Sequence, residues 1–248
     1  MVSAMRYHEI SESTHRIMNP FSIEKLLVLG EICGIGGSTR ILDLASGKGE
    51  MLCLFADKFG ANGIGVELYA PFLVAARKRA EELEVARSIS FIEGDAGNPS
   101  GVDGRFDVVS CLGATWIGGG FVGTLEMMSR WGTPDGWLLV GEPYWIETPP
   151  AHIRDAREVD QDFVDLVGTL NRVDSAGWDL VEMVLASPND WDRYAASQWL
   201  NVSEWLAANP DDPEATEVRE LRDVARRTYL ADKRRFFGWG VFVLRAQR

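Results

Sequence analysis

In the first part of the chain, short apolar runs alternate with stretches where apolar residues recur every three or four positions. The runs predict strands at residues 39–45, 63–68, 89–93, 106–112 and 136–141. The stretches between them predict helices at residues 49–59, 70–84 and 121–131. Parallel strands need long crossovers, so this alternation indicates a parallel sheet covered on both faces. Short right-handed connections then favour a doubly wound, Rossmann-like α/β fold.

The two ends of the chain depart from this alternation. Near the start, Asn19-Pro20 is typical of a helix beginning. Near the end, a predicted helix (162–176) and strand (178–186) are followed by residues 187–235, too long a stretch for a hairpin turn. That stretch has helical spacing broken near Pro213, and a last strand is predicted at 238–245. We therefore predict a mostly parallel sheet of seven strands. The chain would divide into three parts, namely an N-terminal helical segment (1–38) over the cofactor cleft, the sheet domain (39–188 and 236–248) and a helical cap (189–235).

Composition narrows the class of partner. With 248 residues, 46% of them apolar, the chain can bury the core of one enlarged domain. A net charge of −12 argues against a nucleic acid partner, because phosphate binding needs clustered Lys and Arg.

The start MVSAMRYHEISE has no apolar core of signal-peptide length, and the uncharged run 108–125 is interrupted by five glycines. We expect a cytoplasmic protein without a membrane anchor, and a homodimer is compatible with the sequence.

Acidic residues end three neighbouring predicted strands, namely Asp43, Glu67 and Asp95. A turn with Gly47 and Gly49 follows the first strand. A dinucleotide site would need a third glycine where Leu52 stands, and a phosphate-binding P-loop would need Ser or Thr in place of Gly49. The turn therefore brings backbone close to a ligand but offers no pyrophosphate cradle. A strand-end carboxylate can accept both hydroxyls of a ribose, so the pattern favours S-adenosylmethionine over a dinucleotide.

The ordered motifs LDLASGKGE, GVELY, EGDA, FDVVSCLGATW and GWLLVGEPYW resemble those of class I S-adenosylmethionine-dependent methyltransferases. The resemblance covers residues 39–143, and the small-molecule enzymes of the ubiquinone/menaquinone-biosynthesis type are the most similar in pattern. It implies that the first motif surrounds the methionine moiety, the second holds the ribose and the third the adenine. The implied cofactor-binding residues are Asp43, Ala45, Ser46, Gly47, Gly49, Glu67, Leu68, Asp95, Ala96, Cys111 and Leu112. The chain departs from the family at Ala45, which replaces a glycine, and in its long insertion before the last strand.

The acceptor is less well specified, because methyl transfer from a sulfonium is a one-step displacement that depends mainly on orientation. A general base helps only where the attacking atom carries a proton. The catalytic candidates are Tyr144 and His8, although His8 and His15 are more typical of exposed surface histidines, and His152 is the third histidine. The candidates for the acceptor pocket follow strand ends or lie in the cap. They are Trp116, Glu142, Tyr144, Trp145, Trp191 and Tyr194.

Cysteine chemistry and other activities are less favoured. Cys33, Cys53 and Cys111 are too far apart for a zinc site or a disulfide framework, so no metal is expected. The leading hypothesis is a methyltransferase acting on a small molecule. A non-catalytic S-adenosylmethionine-binding protein is the first alternative. A nicotinamide-dependent oxidoreductase is disfavoured by the missing glycine, and an RNA methyltransferase by the acidic charge.

Overall fold

The sheet has seven strands in the order β3-β2-β1-β4-β5-β7-β6. A computed structural model describes residues 2–154 and 163–247. The strands are β1 (Arg40–Leu44), β2 (Asn62–Glu67), β3 (Ile89–Glu93), β4 (Phe106–Leu112), β5 (Gly132–Trp145), β6 (Trp178–Leu185) and β7 (Phe237–Ala246). Strands β1 to β5 pair in parallel, whereas β7 is antiparallel to both β5 and β6. The predicted mostly parallel, Rossmann-like α/β fold is confirmed.

Helices connect the strands and cover the sheet. They are α1 (Ala4–Ser11), α2 (Ile23–Ile32), α3 (Glu50–Phe59), α4 (Ala70–Glu82), α5 (Phe121–Ser129), α6 (Ala151–Arg154), α7 (Leu166–Ser175), α8 (Pro188–Ala208), α9 (Ala215–Thr228) and α10 (Arg234–Phe236). A 3₁₀ turn (Thr115–Gly118) precedes α5, and a π-helical turn (Tyr229–Lys233) joins α9 to α10. None of the helices within the described ranges has the length and apolar character that crossing a bilayer requires.

The core consists of one apolar layer on each face of the sheet. Because neighbouring side chains of a strand point to opposite faces, Ile41 and Leu42 of β1 enter different layers. Ile41 lies in a cluster with Leu29 and Phe55, which come from α2 and α3. Leu42 lies in a second cluster with Leu125 of α5. Both faces are thus buried, which explains why the central strands are apolar without alternation.

Several predicted boundaries are wrong. Helix α2 begins at Ile23 rather than at Pro20, and the Ser22 hydroxyl accepts the Lys25 N–H at its start. Strand β5 extends beyond residue 141 to Trp145, because β7 pairs with it along that length. The predicted helix 162–176 is observed as α7, and its first predicted position, residue 162, lies outside the described residues.

Helices α8, α9 and α10 lie between β6 and β7, where the sequence predicts an insertion. Helix α8 starts with a capping box, in which the Ser187 hydroxyl accepts the Asp190 N–H and the Asp190 carboxylate accepts the Ser187 N–H. The insertion packs on the N-terminal helix α1, through a small cluster that joins Ile10 to Val202 and Val218. The division of the chain at residues 38, 188 and 235 stays a prediction.

Candidate functional site

The chain leaves β1 through a turn in left-handed backbone conformation. The φ angles are 58° at Ala45, 55° at Gly47 and 69° at Gly49. This region favours glycine, so Ala45 is a strained position. A Cβ on Gly49 would lie 2.4 Å from the ring of Phe91. We call residues 45–49 the glycine turn. Its conformation depends on left-handed backbone at Ala45, Gly47 and Gly49 and on close packing of Gly49 against Phe91.

Asp43, just before the turn, is a buried carboxyl with 4% of its surface exposed. The hydroxyl of Ser110, on the neighbouring strand β4, donates to Asp43 Oδ1 at 2.7 Å. Burial raises the pKa of Asp43 to about 7, the Ser110 hydrogen bond opposes that rise, and the charge of Glu67 adds to it. A cationic ligand group beside Asp43 would favour its ionised form.

Glu67, at the end of β2, ties its carboxylate to the glycine turn. Its Oε2 accepts the N–H of Gly47 at 2.9 Å, and its Oε1 accepts the N–H of Tyr69 at 2.9 Å. Each carboxylate oxygen keeps a further lone pair for a ligand hydroxyl. The two backbone N–H groups thus orient this carboxylate at the edge of the sheet.

The third strand-end acid, Asp95, is exposed, and its Oδ1 accepts the N–H of Gly97 at 2.8 Å. Its neighbour Ala96 is buried. Leu68, beside Glu67, exposes 71% of its surface, so its side chain is accessible to a ligand ring. The turn after β4 lies against this region, since a Cβ on Gly97 would be 2.8 Å from the carbonyl oxygen of Ile117.

Ser46 is the residue of the glycine turn whose side chain has an unsatisfied polar group. Its hydroxyl oxygen is buried and has no hydrogen-bond partner within residues 2–154 and 163–247. A buried polar group without a partner costs about 1–3 kcal/mol. The Ser46 backbone N–H is bonded to the carbonyl of Val66, so the residue itself is firmly placed. A ligand acceptor or donor at the turn would remove this cost.

The segment between α1 and α2 lies over the glycine turn and the end of β4. A Cβ on Gly47 would be 2.3 Å from the Met18 methyl carbon, and one on Gly113 would be 2.5 Å from Asn19 Oδ1. The Asn19 amide also donates to the carbonyl of Leu112 at 3.1 Å. Residues of the N-terminal segment therefore contact both the first and the fourth strand ends.

A buried polar cluster that sequence reasoning missed joins this segment to α8. The Glu12 side chain has no exposed surface, and its carboxylate accepts from the Tyr194 hydroxyl at 2.7 Å and from the Gln198 amide at 2.6 Å. His15 Nδ1 lies 2.5 Å from the other carboxylate oxygen, and its Nε2 contacts the Ser197 hydroxyl. Burial alone would raise the pKa of Glu12, but these hydrogen bonds and the charge of His15 lower it overall. The spacing of Glu12 and His15 was the available signal, and their partners lie more than 180 positions away.

The predicted catalytic residues lie on opposite layers. His8, in α1, packs edge-on against Phe72 of α4 with ring centroids 5.5 Å apart. Tyr144 is buried in the apolar cluster on the α5 face, and burial raises the pKa of its hydroxyl. The interpretation of His8 and His15 as exposed surface residues is wrong, because both are at least partly buried. The side chain of His152 is outside the described part of the structure.

The other predicted residues divide between the pocket wall and the core. Glu142 is 5% exposed, accepts the Thr115 hydroxyl, and has a pKa raised to about 7 by burial. Cys111 is fully buried in the core cluster on the α5 face, and burial raises the pKa of its thiol, which disfavours the thiolate. Trp116 exposes 58% of its surface beside the turn after β4. Leu112 packs against the core cluster on the opposite face to Cys111.

Two further predicted pocket residues, Trp145 and Trp191, pack against other aromatic rings. Trp145 packs on Phe237 with ring centroids 4.4 Å apart. Trp191, in α8, lies 6.4 Å from the Tyr194 ring, and its buried indole Nε1 has no partner among the described residues. The described residues contain no group of three His, Cys, Asp or Glu side chains that could hold a metal ion.

The chain is similar to known methyltransferases, some over its whole length and others over part of it. A family model described as a methyltransferase domain matches residues 41–136. The Escherichia coli (strain K12) protein YjhP is 45% identical over 245 residues, 98% of each chain, and its X-ray structure has a TM-score of 0.92 to this one. A Geobacter sulfurreducens S-adenosylmethionine-dependent methyltransferase, crystallised with S-adenosylhomocysteine, is 44% identical over the whole of both chains, with a TM-score of 0.92. The ubiquinone/menaquinone biosynthesis C-methyltransferase UbiE of Pseudomonas savastanoi pv. phaseolicola is 28% identical over 103 residues, 41% of this chain and 38% of its own length.

This chain therefore belongs to the S-adenosylmethionine-dependent methyltransferases. The resemblance to the class I enzymes predicted from the sequence motifs is confirmed. The roles of individual site residues stay predictions.

Proposed function

We propose that this protein transfers a methyl group from S-adenosyl-L-methionine to a small-molecule acceptor. The observation that supports it most is that Asp43, Glu67 and the glycine turn lie together at one edge of the sheet, with Glu67 bonded to the turn. The unpaired Ser46 hydroxyl adds a polar group that a ligand would satisfy. The side chains of Asp43 and Glu67 are carboxylates, which accept hydrogen bonds from an ammonium or from ribose hydroxyls and repel phosphates.

The residues of the first half of the sheet fit the cofactor. Asp43 and the glycine turn would hold the charged methionine end. Glu67 would accept the ribose hydroxyls with its remaining lone pairs, and Leu68 would cover an apolar ring face. Asp95 would accept from the adenine amino group. The exposure of Leu68 and Asp95 is consistent with these roles, because neither is used by the core.

The chain itself binds and orients in this reaction. When bound, S-adenosylmethionine supplies an already activated methyl on a sulfonium, so no covalent enzyme nucleophile is required. Holding the two reactants in line can contribute about 7–11 kcal/mol. Glu142 suits a proton acceptor better than Tyr144, because a carboxyl with a pKa of about 7 exchanges protons near neutral pH. We propose Glu142 for that role where the acceptor carries a proton.

A small acceptor fits the covering of the cleft. Met18 and Asn19 lie against the ends of β1 and β4, and α8 packs on residues 12–19 through Tyr194. The aromatic rings of Trp191 and Tyr194 both belong to α8. A macromolecular substrate would need an open face instead. The net charge of −12 further disfavours nucleic acid.

The test is incubation with methyl-labelled S-adenosylmethionine and a metabolite extract, followed by mass spectrometry of labelled products. We expect one class of labelled small molecules, absent when the Asp43→Ala protein replaces the wild type. Binding of S-adenosylhomocysteine without any labelled product would favour the non-catalytic alternative. Binding of a nicotinamide dinucleotide in its place would favour the oxidoreductase.

A further inference from the structure

We infer that Lys48 is a positioning residue that completes the cofactor site by holding residues 12–19 over the glycine turn. This inference rests on the proposed function, because it concerns the same cleft. Lys48 stands between the two glycines of the turn, where a P-loop interpretation fails and the family resemblance gives it no role. Its side chain points instead to the N-terminal segment.

The Lys48 ammonium donates to three backbone carbonyls of that segment and also lies 5.7 Å from the centre of the Phe72 ring. It donates to the carbonyl of Glu12 at 2.6 Å, to that of His15 at 2.9 Å and to that of Ser13 at 3.3 Å. An ammonium has three donors, so all of them are engaged. These carbonyls belong to the turn that directly follows α1, and the Glu12 carbonyl also accepts the N–H of His15. Lys48 thus ties this turn to the glycine turn.

This contact fixes the rest of the segment across the cleft. Three residues after His15, the Met18 side chain lies against Gly47, and Asn19 lies against Gly113 and bonds to Leu112. The segment therefore spans from the end of β1 to the end of β4, the two strand ends that border the proposed methyl-donor site. Met18 and Asn19 thus occupy the space directly beside Gly47 and Gly113.

A second anchor holds the same segment from the opposite side. The Tyr194 hydroxyl lies 2.7 Å from Glu12 Oε1 and 3.0 Å from the Met18 carbonyl oxygen, so its hydrogen is shared between them. The Asn201 amide donates to the carbonyl of Ser11 at 2.7 Å. Both come from α8. Lys48 thus joins this unit of segment and α8 to the glycine turn by hydrogen bonds, beside the apolar contact of Met18 with Gly47.

The coupling must act in both directions. If Lys48 stabilises the closed segment, and the closed segment retains the ligand, then a filled site also stabilises the segment. Removing the ammonium should therefore speed ligand release and loosen residues 12–19. A residue with only a structural role would instead lower thermal stability and leave the release rate unchanged.

The test uses Lys48→Met, which keeps the chain length and removes the charge and donors. We expect S-adenosylhomocysteine to leave this variant about tenfold faster or more, as measured by stopped-flow tryptophan fluorescence. Amides of residues 13–19 should also lose hydrogen-exchange protection. Lys48→Arg, which keeps charged donors, should restore release to within about threefold of the wild type. Lys58→Met is the matched control, because Lys58 is 54% exposed and pairs only with its neighbour Asp57 in the described structure.

An unchanged release rate together with unchanged protection in Lys48→Met would overturn the inference. If that variant does not fold, Lys48→Gln replaces it with the same expectations. If the wild type binds no S-adenosylhomocysteine, the proposed function fails. The inference is then decided by exchange alone, where loss of protection at residues 13–19 in Lys48→Met supports it and equal protection overturns it.

Discussion

The two sides of the cleft are built from different kinds of structure. The cofactor side consists of strand ends and the glycine turn, and its groups lie within residues 43–113. The covering side is assembled from Glu12 and His15 near the start of the chain and Tyr194 and Gln198 in α8. The cofactor side is fixed by a sheet buried on both faces, whereas the cover is fixed by one polar cluster and a few bonds to the turn.

This difference has consequences for specificity. A site at parallel strand ends keeps its geometry when the helices outside it change. A cover made of an insertion and a terminal segment can change without disturbing the sheet. We therefore expect the cofactor side to determine which donor binds and the covering side to determine which acceptor reaches it.

The largest expected effect is on S-adenosylhomocysteine binding, and it distinguishes Asp43 from Glu142, two buried carboxyls of similar pKa. Asp43→Ala should abolish S-adenosylhomocysteine binding in calorimetry while the protein still unfolds cooperatively, because the charged partner of the ligand ammonium is lost. Glu142→Gln should keep that binding and lose turnover. Both residues have a pKa of about 7 and one hydroxyl donor, from Ser110 or Thr115. Loss of the thermal transition in Asp43→Ala would make its role structural, and equal loss of binding in both variants would mean that Glu142 also belongs to the cofactor side.

A smaller effect is expected at the ribose position. Glu67→Ala should weaken S-adenosylhomocysteine binding about tenfold or more, or roughly 1.4 kcal/mol. The variant loses the acceptor for ribose hydroxyls and also frees the Gly47 N–H that Glu67 holds. Calorimetry measures the affinity, and Glu93→Ala, at an exposed strand-end position, is the control. Unchanged affinity in Glu67→Ala would reject the ribose role.

The pH dependence of binding follows from Asp43. Below a pH of about 7 the buried Asp43 is mostly protonated in the free protein, because burial raises its pKa. A bound ammonium favours the carboxylate, so S-adenosylhomocysteine affinity should rise as pH increases through 7 and then level off. The limiting slope below the pKa is about tenfold per pH unit. Calorimetry between pH 5.5 and 8.5 (about the range spanning this titration) measures it. Asp43→Asn, if it binds at all, should show no such rise, and a flat wild-type profile would contradict the assignment.

The sequence predicts the cofactor side far better than the cover. Asp43, Glu67 and Asp95 could be placed together because parallel strands end at the same edge, so the order of elements determines their proximity. Nothing comparable relates Glu12 to Tyr194, because a contact over 182 positions depends on how the insertion packs.

The wrong predictions for Asn19 and His15 also result from contacts with residues far away in the sequence. Asn19 has the sequence pattern of a helix cap, but its amide is used on the Leu112 carbonyl, a tertiary contact that overrides local preference. The sequence predicts a surface position for His15, since nothing nearby in sequence except Glu12 suggests burial. The residues that bury it come from α8, where Ser197 bonds to the imidazole and the Tyr194 ring stacks on it.

The smallest effect concerns the stability of the cover rather than binding. Without ligand, amides of residues 189–235 should exchange faster than those of β1 and β4, by about tenfold or more. The strands are buried on both faces, whereas Leu200, Val224 and Leu230 of the insertion are exposed. Hydrogen exchange followed by mass spectrometry measures this difference, and S-adenosylhomocysteine should reduce it through residues 12–19. Protection of the insertion equal to that of the sheet would mean that the cover is as rigid as the cofactor side, and the acceptor would then have to enter through a permanently open path.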